Sequence, residues 1–349
     1  MPVTSTDWVA ANDCSIRCSR IMRGRFKDEH RGAVMGLATM TVVGTATLAI
    51  GLFVLDLAGV DVYRQAWLAK VGIFGAEPIG IFKADERFGW VHAPSVTGRH
   101  RIVPDFDVEY HIDALGHRVV PGASGRDAPV VLFVGGSFTF GEGVEDHEAY
   151  PALLQRDWQN LQIVNAAVSG WGTVQALFAL ERELKIHDSI ALVVYAHISH
   201  HRQRNYLRRS WLDLLMESEG RRNPFFEIIG SQLVFKGLAD PVRNGLPDSH
   251  ELALRESLIT QALLKRMLNI SAARAVPFVV VHLPDGSTKT ELDILARGVG
   301  RDGVIDLRPL VDYNSIHFEH DTHPRPDGHL QIAEALRPLL NARLYPPQP

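Results

Sequence analysis

Cysteine is nearly absent from this sequence. The 349 residues contain two, Cys14 and Cys18, and none follows them. A disulfide framework is therefore excluded beyond residue 18, and an oxidising compartment is neither required nor ruled out. The Cys-x3-Cys spacing would need further ligands to hold a metal ion, and we interpret the pair as ordinary thiols.

An excess of positive charge is also missing. The formal net charge is -4 and the pI is near 6.5, so the composition gives no support to nucleic-acid binding. Hydrophobic residues make up 46% of the chain, which is enough to bury a full core and excludes disorder as a description of the whole. No internal repeat or low-complexity tract occurs. We predict one large domain with appendages.

A long uncharged stretch stands near the start of the chain. Residues 33–55 carry no charged side chain and would span about 35 Å as a helix, enough to cross a bilayer core. A signal peptide would have a shorter apolar region, of about 7 to 15 residues, and a small-x-small cleavage site. A buried core helix is the other alternative, and the polar, arginine-bearing segment that precedes the stretch argues against it. We predict a transmembrane helix at 33–55.

The charges on the two sides of this stretch differ in sign. Six basic residues lie between positions 17 and 31, whereas Asp56 and Asp61 follow the stretch. By the positive-inside rule, this asymmetry predicts a cytoplasmic tail at 1–32 and a single-pass anchor in the inner membrane, with the remaining domain in the periplasm.

The rest of the chain divides by its pattern. Residues 56–80 are interpreted as a juxtamembrane linker and 81–120 as a β-rich extension, in which aromatic and β-branched residues alternate with turn formers. From 121 to 345 we predict an α/β domain. Residues 205–250 interrupt its rhythm with basic, aromatic and proline-bearing sequence, and are interpreted as an insertion that could form a lid or a substrate-facing loop.

Strand-length apolar runs alternate with helical stretches in the α/β domain. The runs are 129–134, 161–168, 189–196, 277–283 and 303–307, and the main helical stretches are 147–158, 174–186 and 251–273. This alternation predicts a parallel sheet with helices on both faces. Function in such a sheet collects at the carboxyl ends of the strands.

A serine stands on a glycine-flanked turn where the first of these strands ends. The turn is the segment 135–141 (GGSFTFG), with Ser137 as its third residue. Far downstream, Asp321 and His323 lie two residues apart just before a helix. These are the parts of a Ser/His/Asp hydrolase. The turn could instead be a helix cap or a phosphate-binding turn, but no Gly-Lys-Ser/Thr follows, and the downstream Asp/His pair favours a nucleophile.

Three sequence blocks together carry a family resemblance. They are 135–144 (GGSFTFGEGV), 165–173 (NAAVSGWGT) and 321–329 (DTHPRPDGH). The chain from about 129 to 340 resembles the SGNH/GDSL hydrolase superfamily, and most of all its membrane-associated bacterial branch related to polysaccharide O-acetyl esterases and acetyltransferases. The resemblance implies a three-layer α/β/α flavodoxin-like fold.

The resemblance also implies roles for individual residues. Ser137 would attack an ester carbonyl, His323 would take and return the proton, and Asp321 would orient the imidazole. The oxyanion hole would use the backbone N–H groups of Ser137 and Gly170 and a third donor from the 193–201 block.

Two positions depart from the family pattern. Gly136 stands where an aspartate is usual, which removes a side chain that braces the turn. His200 aligns with the usual asparagine; an imidazole can donate one N–H to an oxyanion. Asn205, a few residues downstream, is the reserve candidate for that donor.

The histidines at 197, 200, 201, 317, 320 and 323 also raise a zinc hypothesis. No His-Glu-x-x-His or comparable spacing supports it, and we predict neither a metal nor a cofactor. Arginines 202, 204, 208 and 209 are interpreted as a solvated surface or a lipid contact, although they could hold an anionic glycan.

Together, these features predict a membrane-anchored SGNH-type serine esterase that acts through an acyl-enzyme. Its expected partners are the membrane, through 33–55, and an O-acylated, chiefly O-acetylated, envelope carbohydrate or a small ester; nucleic acid is not among them. A sugar hydroxyl as acceptor would make the protein an O-acetyltransferase instead. A degenerate, non-catalytic domain that binds glycan or scaffolds a complex is a further alternative.

Overall fold

The structure is a computed structural model that describes residues 80–122, 128–216, 221–287 and 289–345. The predicted tail 1–32, the predicted transmembrane helix 33–55 and all of the predicted linker except Gly80 lie outside the described residues. Within the described ranges, no helix combines the length and the apolar character needed to cross a bilayer.

The described residues form strands and helices in the following order. The strands are β1 (Phe82–Asp85), β2 (Gly89–His92), β3 (Thr97–Ile102), β4 (Phe106–His111), β5 (Val130–Gly135), β6 (Gln162–Asn165), β7 (Ile190–His197), β8 (Pro224–Ile229), β9 (Gln232–Leu238), β10 (Phe278–His282) and β11 (Val304–Asp306). The helices are α1 (Ser137–Phe140), α2 (Tyr150–Gln155), α3 (Thr173–Ile186), α4 (Ser199–Gln203), α5 (Arg209–Met216), α6 (Pro241–Asn244), α7 (His250–Ala272), α8 (Lys289–Val299), α9 (Tyr313–Ile316) and α10 (Pro326–Leu344).

Five parallel strands form the central sheet in the order β6-β5-β7-β10-β11. These are the five apolar runs of the sequence, and the predicted parallel α/β sheet is therefore confirmed. The order is flavodoxin-like, and it reverses between β5 and β7. At such a reversal, the loops that follow the two strands run in opposite directions, and ligands of open α/β sheets bind there.

Helices cover both faces of the sheet because successive side chains of a strand point in opposite directions. In β5, Leu132 and Val134 join the core under α3 and α7. Val131 and Phe133 join the core under α2 and α10. All six residues of β5 are buried, as expected for a strand covered on both faces.

The predicted helix 147–158 is shorter than expected. It runs over Tyr150–Gln155 with a proline in its first turn, a position that suits proline because its missing N–H would have no helical partner. It ends where the Gln155 side chain donates to the carbonyl oxygens of Trp158 and Leu161, both at 2.9 Å.

The extension consists of two antiparallel hairpins, β1–β2 and β3–β4. Its apolar side chains form a third core cluster together with Phe140 of α1 and Ala167 of the loop after β6. The extension is thus packed directly against the two loops that follow β5 and its neighbour β6.

The insertion contains α5, the hairpin β8–β9 and α6. Phe226 and Phe235 of the hairpin lie 5.9 and 5.2 Å from Phe178 of α3, between ring centroids. The hairpin therefore covers α3, whereas Trp211 and Leu214 of α5 line a small cavity beside His200.

Candidate active site

Ser137 is the first residue of α1, directly after β5. Gly136 precedes the helix in an extended conformation, and Gly141 ends it after four residues at a φ of 86°, in the left-handed region that favours glycine. Ser137 is 4% exposed. This turn places the serine at the carboxyl edge of the sheet, beside the reversal of strand order.

Asp321 and His323 form a buried pair ahead of α10. Nδ1 of His323 lies 2.6 Å from Oδ1 of Asp321, and the backbone N–H of His323 donates to the same oxygen at 2.7 Å. A carboxylate on Nδ1 fixes the ring orientation and directs Nε2 away from it. Burial by itself would raise the pKa of Asp321, but the charge and hydrogen bonds of His323 hold it below its usual range.

The pair lies next to the serine helix. The His323 ring is 5.5 Å from the ring of Phe138, the residue after Ser137. Nε2 of His323 is 3.7 Å from Oε2 of Glu142, whose backbone N–H donates to the carbonyl oxygen of Ser137 at 3.1 Å. These contacts place the Asp321–His323 pair beside the turn that carries Ser137.

Two of the three expected oxyanion donors lie on adjoining loops. Gly170 has a φ of 82° in the loop after β6. The carbonyl oxygen of the next residue, Trp171, would lie 3.1 Å from a Cβ atom placed on Gly136. In the described part of the chain, the backbone N–H groups of Ser137 and Gly170 are not given to a backbone acceptor.

His200 lies on α4, after β7, and is half-buried. Burial and the nearby charge of Arg204 lower its pKa to about 4. The imidazole is therefore neutral near pH 7, in which form it carries one N–H donor.

Asn205, the reserve candidate, is not available as an oxyanion donor, and that assignment needs correction. Its Nδ2 donates to the hydroxyls of Thr173 and Thr260 at 2.8 and 2.9 Å. Its Oδ1 accepts from the N–H groups of Thr173 and Val174 at the start of α3, at 2.9 and 3.3 Å. Both amide hydrogens are used, and the side chain caps α3.

The structure explains the glycine at position 136. A Cβ atom there would lie 2.5 Å from Nε2 of His201. The His201 ring is fully buried, and its Nδ1 is 2.9 Å from the hydroxyl of Tyr195. The imidazole therefore fills the space in which an aspartate side chain would begin, and it packs behind the serine turn instead.

We expect Gly136→Asp to lower the free energy of unfolding by about 1 to 3 kcal/mol, because the new side chain overpacks against His201. His201→Ala opens the space, so the double variant should be more stable than the sum of the two single effects predicts. Chemical denaturation of the two single variants and the double variant measures this coupling. Strictly additive losses would show that His201 does not occupy the space in question.

The extension is hydrogen-bonded to the loop that carries Gly170. Nε1 of Trp90 donates to the carbonyl oxygen of Ser169, and Nε1 of Trp171 donates to that of Trp90, each at 3.0 Å. These two bonds lie on either side of Gly170. The β-rich pattern of 81–120 predicted strands, but it gave no signal for this contact.

Arg118 and Tyr110 hold the segment after α1 in the same way. The buried guanidinium of Arg118 donates to the carbonyl oxygens of Phe140 and Val144, at 3.0 and 2.7 Å, and also to that of Gly141. The Tyr110 hydroxyl accepts the N–H of Gly143 at 2.7 Å. Glu142 lies between these anchors and is not among the residues predicted from the sequence. Its place between two glycines, just after the serine turn, is the local signal that points to it.

Both ring nitrogens of His197, behind the site, have other partners. Nδ1 of His197 is 3.2 Å from the Tyr195 hydroxyl, and its Nε2 is 3.0 Å from Glu291, whose other oxygen accepts from Arg202. Within the described ranges, no group of three or more His, Cys, Asp or Glu side chains is arranged to hold a metal ion.

No family model and no curated protein matches the chain. Among solved structures it is similar to TesA, with 16% identity and a TM-score of 0.40 over 61% of this chain and 99% of that one. It is similar to the psychrotrophic esterase EstA from Pseudoalteromonas sp., with 11% identity and a TM-score of 0.40 over 62% of this chain and 98% of that one. It is also similar to a catalytic mutant of Axe2, an acetylxylan esterase from Geobacillus stearothermophilus, with 12% identity and a TM-score of 0.36 over 63% and 97% of the two chains. Because these similarities are low, the function is inferred from the residues of this chain and not from the neighbours.

Proposed function

We propose that this protein is an SGNH-type serine esterase that forms an acyl-enzyme on Ser137. The observation that carries the proposal is the buried Asp321–His323 pair beside the serine turn at the carboxyl edge of the sheet. An Nδ1-anchored imidazole next to a serine is the arrangement that nucleophilic acyl transfer requires.

The proposed reaction has two halves. Ser137 Oγ attacks the ester carbonyl carbon while its proton passes to Nε2 of His323, and the tetrahedral intermediate collapses as Nε2 returns that proton to the leaving alcohol. A water then attacks the acyl-enzyme through the same transfers and releases the acid. Asp321 stabilises the imidazolium formed in each half.

Negative charge develops on the carbonyl oxygen of the ester in the tetrahedral intermediate. Hydrogen-bond donors that are already in position stabilise this charge. The N–H groups of Ser137 and Gly170 and the neutral imidazole of His200 are the proposed donors. Removal of one such donor in a serine hydrolase costs about 3 to 4 kcal/mol of transition-state stabilisation, because the donor acts on charge that the ground state lacks.

We propose, from the motif resemblance, that the acyl group carried by Ser137 is short, such as acetyl. A cavity of about 70 Å³ lies beside His200, one of the proposed oxyanion donors, and is bounded by Arg204, Trp211 and Leu214. The motif resemblance supports an O-acylated envelope carbohydrate as the substrate. The charge pattern around 33–55 supports a periplasmic domain anchored by that stretch.

The test is intact-mass labelling of the full-length protein, purified in mild detergent, with a serine-reactive fluorophosphonate. We expect one adduct on the wild type, none on His323→Ala, and turnover of a small acetyl ester by the wild type alone. A folded wild type that takes no label and cleaves no acetyl ester would overturn the esterase proposal, and glycan binding would be measured next.

A further inference from the structure

The site contains a second buried carboxylate, Glu142, which is not part of the Ser/His/Asp triad. Its Oε2 is 3.7 Å from Nε2 of His323, and both side chains are 5% exposed. This separation exceeds a hydrogen bond but is close for two opposite charges in a site shielded from water. The imidazole of His323 is therefore flanked by a carboxylate at each nitrogen.

We propose that Glu142 is a positioning residue for the general base, held against Nε2 of His323 by the N-terminal extension. The inference rests on the proposed function, since it concerns the nitrogen that would receive the serine proton. Two carboxylates stabilise the imidazolium that forms when Ser137 attacks. They also stabilise the same imidazolium in the resting protein, where it cannot accept a proton.

The position of Glu142 is set from both sides. The carbonyl oxygens of Gly141 and Val144 accept from Arg118, and the N–H of Gly143 donates to Tyr110. Arg118 in turn donates Nε to Asp146 at 2.9 Å. The backbone around residue 142 is therefore tied to two buried side chains of the extension, and the carboxylate has little freedom to move from Nε2.

Several charged or titratable groups face His323 from the elements around it. They are Asp321 on its own loop, Glu142 after α1, His317 after α9, His200 on α4, Arg204 after α4 and His329 on α10. Burial lowers the pKa values of His200 and His317 to about 4 and that of His329 to about 3, so these rings are neutral near pH 7. Arg204 carries a positive charge and opposes the two carboxylates.

The balance of these groups favours a protonated His323. Burial by itself would lower its pKa, but the charges of Asp321 and Glu142 outweigh burial and Arg204, and raise it to about 9. Nε2 is then free to accept the serine proton only as the pH rises through that value. Serine reactivity is expected to fall as the pH drops below about 9.

The test measures the rate of fluorophosphonate labelling of the full-length protein from about pH 5 to about pH 10, a range that covers the free and the shifted histidine. The wild type should label with a midpoint near 9. Glu142→Gln should lower the midpoint by about one pH unit or more, the effect of removing a neighbouring opposite charge, and should label faster than the wild type near neutral pH. Glu145→Gln, the same change three residues along the segment, should keep the wild-type midpoint.

The two possible failures are distinguishable in the same assay. A wild type that takes no label at any pH contradicts the esterase proposal, whereas equal midpoints for the wild type and Glu142→Gln overturn the role of Glu142. Should Glu142→Gln fail to fold, Glu142→Asp retains the charge but withdraws it by one methylene, and its midpoint must also fall. Tyr110→Phe, which removes the hydroxyl that anchors Gly143, should produce a smaller shift in the same direction, and an unchanged midpoint there would contradict the part assigned to the extension.

Discussion

Ser137→Ala is expected to reduce hydrolysis of a small acetyl ester by roughly 10⁴-fold or more, and to abolish fluorophosphonate labelling. The substitution removes the atom that attacks the carbonyl carbon, and the oxyanion donors that remain cannot replace a nucleophile. Steady-state rates on a chromogenic acetyl ester, together with the intact mass after labelling, measure the effect.

Ser169→Ala is the matched control for this variant. Ser169 is also 4% exposed, lies on the neighbouring loop, and its hydroxyl makes no hydrogen bond within the described residues. Its loss should leave the acetyl-ester rate close to that of the wild type. An active and labelled Ser137→Ala protein would show that the nucleophile lies elsewhere.

Arg118→Met is expected to lower the free energy of unfolding by about 3 to 5 kcal/mol, as when one partner of a buried ion pair is removed. The guanidinium is fully buried, pairs with Asp146, and satisfies three carbonyl oxygens of the segment after α1. Methionine fills a similar volume but leaves these groups without their donor. Chemical denaturation of the full-length protein measures the loss.

The same variant should lower the pH midpoint of Ser137 labelling, in the direction expected for Glu142→Gln, because the segment that Arg118 ties down carries Glu142. Arg99→Met on β3 is the control: Arg99 pairs with Asp107 on the surface of the extension, where an ion pair contributes little. We expect the unfolding midpoint of Arg99→Met to stay near the wild-type value. Equal stability of Arg118→Met and the wild type would contradict the structural role assigned to Arg118.

The central sheet could be predicted because its signal is local in the chain. Each strand is an apolar run of β-strand length, and β5 is buried on both faces as such a run requires. The helix predicted at 147–158 was drawn too long, since its start depends on Pro151 and its end on the long-range bonds of Gln155.

The candidate triad was also readable from short patterns. One pattern is a glycine-flanked serine after a strand, and the other is an Asp-x-His sequence before a helix. Both can be recognised without knowledge of the fold. The assignment of Asn205 failed because its amide is bonded to Thr173 and Thr260. Those partners lie 32 and 55 residues away along the chain, and no local pattern reports such contacts.

The sequence by itself determined the alternation of strands and helices, the serine turn and the Asp321–His323 pair. It also determined the charge asymmetry around 33–55, from which the membrane anchor remains a prediction. Each of these is a property of neighbours in the chain. Three features are visible only in the folded structure. His201 fills the space beside Gly136, and the extension is hydrogen-bonded to the loops that carry Ser137 and Gly170. The carboxylate of Glu142 lies close to the His323 ring. The reason is physical: these contacts depend on side chains from distant segments meeting at one edge of the sheet, and their partners, distances and burial are set by packing.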